Sequence, residues 1–173
     1  MKLELIVKDL IGMKYGWWTK DSIIGDNEPM WIGIEPLPIK NIDKNKTICC
    51  TGLINIIRRE LKLEVAGIKT NSDYPGSTFE WYNYFKTKNV LKIFDINYSY
   101  PKNTLLLRNY KDYKDTGHIA IIYEKNKLNH KLDKLLHSCP EIGVNIDITL
   151  LDSHFYIENG YYEYIVFPED WLK

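Results

Sequence analysis

Several things are scarce in this chain, and each scarcity removes a class of explanation. No apolar run approaches the roughly 20 residues that a membrane-spanning helix needs. Lys2, Glu4, Lys8 and Asp9 interrupt what would have to be the apolar region of a signal peptide, so neither export nor a membrane anchor is expected. Cysteine is limited to three residues, an odd number. Two of them, Cys49 and Cys50, are adjacent and poorly placed to bridge each other, so free thiols in a reducing compartment are expected. Neither sign of charge is in excess, with 23 Lys plus Arg against 23 Asp plus Glu. That balance leaves no global field to draw nucleic acid or an anionic membrane, and neither partner is expected. Cys49, Cys50, His118 and Cys139 lack paired ligand spacing of the zinc-finger type, so no metal and no cofactor is expected. Internal repeats and low-complexity segments are absent as well.

What remains is one domain of 173 residues, long enough to bury a sizeable core without staples. Its organising stretch is Thr47-Ile48-Cys49-Cys50-Thr51-Gly52-Leu53-Ile54. Leu53, Ile54, Ile57 and Leu61 follow Cys50 at three, four, seven and eleven positions, one face of a helix over about Ile48 to Leu63. Thr47 reads as its N-cap, which puts Cys50 in the first turn, among backbone N–H groups without helical partners. The partial positive charge there favours thiolate over thiol. Asn55, Arg58, Arg59 and Lys62 fall on the other side of that helix and read as a solvated polar face.

Elsewhere, Leu3, Ile6, Val7, Leu10 and Ile11 define an amphipathic helix that Gly12 ends, and Tyr15-Gly16-Trp17-Trp18 reads as an aromatic turn. Residues 21–46 form a loop excursion broken by Gly and Pro and containing Trp31. After the turn at 71–76, Ser77 and Glu80 stand in capping-box spacing and start a helix from Thr78 to about Lys86. It carries Phe79, Trp81, Tyr82, Tyr84 and Phe85, too many rings for one buried face. Thr104 to Arg108 has strand character. His118 to Tyr123 is apolar on both faces and reads as a central strand. Lys125 to Lys134 is polar, and His130 and His137 read as surface residues. Ile146 to Leu151 and Tyr161 to Phe167 are two further strands, and Trp171 anchors the C-terminal segment.

Four segments, taken in order, resemble the papain-like NlpC/P60 and CHAP thiol hydrolases. Cys50-Thr51-Gly52-Leu53 is similar to the Cys-Ser-Gly-Leu of that family's nucleophile helix. Gly117-His118-Ile119-Ala120-Ile121 is similar to a Gly-His-Val-Ala-Ile run that carries its histidine. Tyr15-Gly16-Trp17-Trp18 resembles the aromatic-glycine segment upstream of the cysteine helix. Pro101 to Leu107 resembles the Pro-Gly-Asp and apolar strand before the histidine. Where the family has Asp ahead of the nucleophile, this chain has Cys49. The resemblance implies an α+β fold of papain-like NlpC/P60 type, with N-terminal helices packed on an antiparallel sheet of about four to six strands. It makes residues 1–173 a single domain with a loop insertion at 21–46 and a helical insertion at 71–100.

The resemblance further implies a cysteine hydrolase that cleaves an amide, peptide or isopeptide-like, or an ester bond through an acyl-enzyme. Cys50 is then the nucleophile and His118 the base. Asp152 is the third residue that orients the imidazole, with His154 as its alternative, both from the strand that the family places after the histidine. The Cys50 backbone N–H and the Tyr15 hydroxyl stabilise the oxyanion, and Trp17, Trp18 and Trp81 line the substrate cleft. A peptide or amide-bearing small substrate is the expected partner, and the cytoplasm or a virion the expected location. The competing expectation is a catalytically inactive module on the same fold. It would bind a peptide or protein through the aromatic surface of Trp17, Trp18, Trp31, Trp81 and Tyr82.

Overall fold

The computed structural model describes residues 2–19, 22–24, 47–112, 114–140, 142–148 and 162–173. The chain opens with helix α1 (Lys2–Leu10), then the short strands β1 (Lys14–Tyr15), β2 (Trp17–Thr19), β3 (Ser22–Ile24) and β4 (Thr47–Ile48). Helices α2 (Cys50–Glu60) and α3 (Thr78–Thr87) follow. The second half supplies β5 (Lys92–Ile93), β6 (Leu105–Arg108), β7 (His118–Glu124), β8 (Lys134–Cys139), β9 (Gly143–Ile148) and β10 (Tyr164–Val166), with a closing turn of helix, α4 (Pro168–Trp171). The fold is α+β. Six strands form an antiparallel sheet in the order β5-β10-β6-β7-β8-β9, with β7 inside it as its sequence implies. Among the described residues, no helix is long and apolar enough to cross a membrane.

Strand alternation sorts the core into two layers. Leu105, Leu107, Ile119, Ile121, Leu136, Val144 and Val166 face the helices, and with Ile6, Val7, Leu10, Leu53, Ile54 and Ile57 they make the main core. Leu106, Ala120, Ile122, Leu135 and Ile165 face the other way and join Tyr100 and Tyr162 in a second cluster. The apolar stripe read for α1 is the buried one. The Tyr15-Gly16-Trp17-Trp18 segment, expected as a turn, is instead extended, with Tyr15 paired to Ile48 in a parallel β1–β4 ladder. Gly16 permits that approach, because a Cβ there would fall 2.0 Å from the Thr47 hydroxyl oxygen.

Helix α2 corrects the sequence reading on one side. Asn55, Arg58 and Arg59 are buried, not solvated. Asn55 donates to the Gly76 carbonyl at 3.2 Å and accepts from the Trp81 indole at 2.8 Å. The Arg58 guanidinium bonds the carbonyls of Glu64 and Trp171 and the Tyr84 hydroxyl, and lies over the Trp81 and Tyr84 rings. Helices α3 and α4, with the loop carbonyls of Glu64 and Gly76, thus cover the face that the periodicity leaves polar and supply the partners of Asn55 and Arg58. Trp81, expected in a substrate cleft, is fully buried against Phe85 and Asn55. Its role is packing.

Candidate active site

Helix α2 begins two residues later than its N-cap reading implies. Cys49, in extended conformation, is the cap: its sulfur accepts from the Gly52 N–H at 3.4 Å and contacts the Thr51 hydroxyl at 3.3 Å. Thr47 lies in β4 instead, and Cys50 becomes the first helical residue. The strand leading into it is fixed through the Ile48 carbonyl, which accepts from the Gly16 N–H at 3.4 Å and from the Ser138 hydroxyl at 2.7 Å. The start of α2 is therefore tied both to β1 and to β8.

The β7–β8 ladder stops short of the start of β7, and its register shift lies at the other end, between Ile122 and Glu124. The β7–β8 register runs from Glu124↔Lys134 through Ile122↔Leu135 to Ile121↔Leu136 and does not extend to His118. Ile122 turns its N–H and C=O toward the β6 side, where they meet Thr104 and Asn103. By alternation, Ile119 presents its N–H on the β8 side, beyond the end of that ladder. The Cys50 sulfur lies close enough for that N–H to favour its thiolate. The thiol thus lies beside the unladdered start of β7, near the residue that follows His118.

His118 and His137 close the same gap from the second-cluster side. His118 Nε2 and His137 Nδ1 are 3.1 Å apart, with the rings edge to face, and the Tyr162 ring lies 6.1 Å from His118. Both histidines are buried, so the surface reading of His137 is corrected. The segment Leu135-Leu136-His137-Ser138 carried the signal that was passed over: a histidine next to two leucines on a short apolar run belongs with a strand. His130, by contrast, stays half-exposed in a 3-10 turn (His130–Leu132).

The lead-in to His118 is clamped as well. Arg108 is the cross-strand partner of His118 and pairs with Asp115, whose carboxylate also accepts the Gly117 N–H at 3.3 Å. Thr78, at the start of α3, donates its hydroxyl to the Thr116 carbonyl at 2.7 Å. Gly117 sits at φ +76, and a Cβ there would meet the Arg108 carbonyl at 2.5 Å. The helix at the centre of the expected insertion thus holds the loop that delivers the histidine.

Electrostatics set the resting protonation state. Cys50 is half-buried, and desolvation, then the neighbouring Cys49, pushes its thiol up to about 12 against the pull of the Ile119 N–H. Burial also raises Cys49. His118 is held well below the ordinary imidazole value, first by burial and then by His137 and Arg108. The resting pair is a thiol and a neutral imidazole, which corrects the expectation of a thiolate favoured by the helix end.

Of the other expected site residues, Tyr15 lies in β1 beside Ile48, two positions before Cys50. Trp17 and Trp18 lie in β2. Asp152, His154 and Trp31 lie outside the described residues. Among the described residues no group of three His, Cys, Asp or Glu side chains is arranged to hold a metal ion. A cavity of about 190 Å³ on the flank of α3, lined by Glu64, Glu80, Tyr84 and Lys88 among others, shares no residue with the Cys50 region. No family model matches the chain, and no curated protein is significantly similar to it.

Proposed function

We propose that this protein is a cysteine hydrolase of the papain-like NlpC/P60 and CHAP kind, cleaving an amide or ester bond through a Cys50 acyl-enzyme. The observation that carries the reading is the position of the Cys50 sulfur. It lies at the start of α2 near the Ile119 backbone, next in sequence to a histidine whose Nε2 is engaged by a second histidine. His118 leaves the second-cluster face of the sheet and Cys50 the helix face, so the proposed chemistry requires the imidazole to come round the open end of the β7–β8 pair and offer Nδ1 to the thiol, Nε2 being engaged by His137. As the sulfur attacks the carbonyl carbon, its proton passes to His118 Nδ1 and the carbonyl π pair moves to oxygen. Collapse of that intermediate expels the amine or alcohol, which takes the proton back from the imidazolium. Water, deprotonated by His118, then hydrolyses the thioester and frees the acid.

His137 replaces Asp152 in this reading as the group that orients the imidazole and fixes its tautomer. The Cys50 N–H, in the first turn of α2, is the oxyanion donor, a contact worth on the order of 3 kcal/mol. The Tyr15 hydroxyl is a second donor. The substrate is a peptide or a small amide-bearing or ester-bearing molecule.

The test is acyl trapping. An activated acyl ester should leave one acyl group on the protein, mapped by mass spectrometry to Cys50, and both Cys50→Ala and His118→Ala should lose it. An adduct on Cys139 or Cys49, or no adduct at all, sinks the proposal. One observation favours the inert-module alternative, namely a thiol raised to about 12 in the resting state. In that alternative Trp81 plays no part, being buried, and the binding surface shifts to other rings.

A further inference from the structure

We propose that Arg108 and Asp115 are an electrostatic regulator of the Cys50–His118 site: a cross-strand cation beside His118, its charge metered by a carboxylate from the loop that enters the same strand. The inference rests on the hydrolase reading for its consequence, since the pair would set the pH at which His118 takes the Cys50 proton. Its physical basis does not depend on that reading.

Arg108 and His118 are direct partners in the β6–β7 register, so their side chains leave the same face of the sheet. The guanidinium side chain is only 17% exposed, so little water screens it from the imidazole. Charged and titratable groups of the described residues surround His118. β6 contributes Arg108, β8 contributes His137, and Tyr162 lies on the far side near β10. On the helix side the Cys50 thiol meets the next residue, Ile119. Among the described residues Arg108 is the fixed cation of that set, and its charge is among the causes that hold His118 low.

Asp115 moderates this cation and is itself built into the approach to His118. One of its oxygens pairs with the Arg108 guanidinium and accepts the Gly117 N–H, one residue before the histidine, while the other lies 3.7 Å from Lys111. Lys111 also pairs with Glu163 at 3.0 Å, so it draws only part of the Asp115 charge. Removing either partner therefore moves His118 in opposite directions. Loss of Arg108 leaves an uncompensated carboxylate and makes the imidazole easier to protonate. Loss of the Asp115 charge takes that counter-charge from the guanidinium and makes it harder.

The experiment is a titration of the His118 imidazole by NMR in the full chain, assigned through His118→Gln. Arg108→Gln should raise the midpoint by about one pH unit, the size expected of a unit charge several ångströms away and partly offset by its counter-ion. Arg108→Lys should keep the parent value to within a few tenths. A midpoint in Arg108→Gln no higher than the parent's, or His118 still neutral at the acid limit of the folded state, overturns the proposal. Should Arg108→Gln fail to fold, Asp115→Asn carries the test: its midpoint should fall, and one at or above the parent's overturns the idea. Because the readout needs no reaction at Cys50, the outcomes separate. An imidazole that moves as expected in a protein that never acylates leaves the regulator standing and removes the hydrolase. Acylation at Cys50 with an unmoved imidazole does the reverse.

Discussion

The two ends of the β7–β8 pair are closed in different ways. At the Glu124 end the backbone pairing continues through a register shift between Ile122 and Glu124, and charged side chains line it: Lys134 pairs with Glu124 at 2.8 Å, and Lys125 pairs with the buried Asp133. At the His118 end the register stops at Ile121↔Leu136, and side chains take over. The Cys50 thiol lies near the Ile119 backbone, two histidines bridge the strands, and the Ser138 hydroxyl reaches the Ile48 carbonyl. Backbone pairing satisfies polar groups with no reactive atom. Pairing through side chains does the same work and leaves a thiol and an imidazole where a ladder would have been.

The sharpest way to break that contrast is to remove the histidine. In the proposed mechanism His118→Ala should lower turnover by about a thousandfold, equivalent to about 4 kcal/mol of transition-state stabilisation, measured as kcat/KM on an acyl ester. Alanine at position 124, by the same assay, should leave the rate within a factor of two. If both ends respond alike, the open end has no special part in the chemistry.

The ladder itself is tested by stability. Leu136 is fully buried in the main core and occupies the last paired position before the gap. Leu136→Ala should cost about 2–5 kcal/mol in urea unfolding, through lost burial and the cavity left behind. A loss below about 1 kcal/mol would mean that the strand collapses onto the helices, and that the gap is a product of packing at that leucine.

These contrasts were only partly legible in the sequence. Periodicity located α1, the apolar stripe of α2, β6 and the central β7, because a buried face is written into every third, fourth or second residue. The polar side of α2 was misread because its partners are remote. Asn55 finds Gly76 and Trp81, 21 and 26 positions away, and Arg58 finds Trp171, 113 positions away. No local pattern carries such pairings. His137 was missed for a related reason, since its meeting with His118 depends on where the hairpin ladder stops. The thiol was misjudged by magnitude. A helix end supplies up to about 1 kcal/mol at an exposed site, less than one pH unit, whereas burial moves Cys50 from 9.0 to about 12.

Acid sharpens the comparison next. His118 is kept neutral in the folded chain, while in the unfolded chain it protonates near its ordinary value of about 6.5. Below that pH the unfolded state binds the extra proton, so stability is full above about 6.5 and falls as the pH drops toward the folded value. One such group changes the slope by at most about 1.4 kcal/mol per pH unit. Urea midpoints between pH 7 and pH 5 should therefore fall more steeply in the parent than in His118→Gln. Equal slopes would mean that the imidazole is not held neutral.

The smallest effect belongs to the closed end and serves as its control. The Lys134 and Glu124 side chains are each 47% exposed, so water screens their attraction and both keep most of their freedom. Exposed pairs of this kind contribute about 0–1 kcal/mol. Glu124→Ala should accordingly shift the unfolding free energy by less than about 0.5 kcal/mol, and the shift should vanish in 1 M salt. The backbone bonds of the ladder remain in the variant, and they, not the ion pair, hold that end together. A loss of 2 kcal/mol or more that survives high salt would place the ion pair among the structural supports of the sheet, and the two ends of the hairpin would then both depend on side chains.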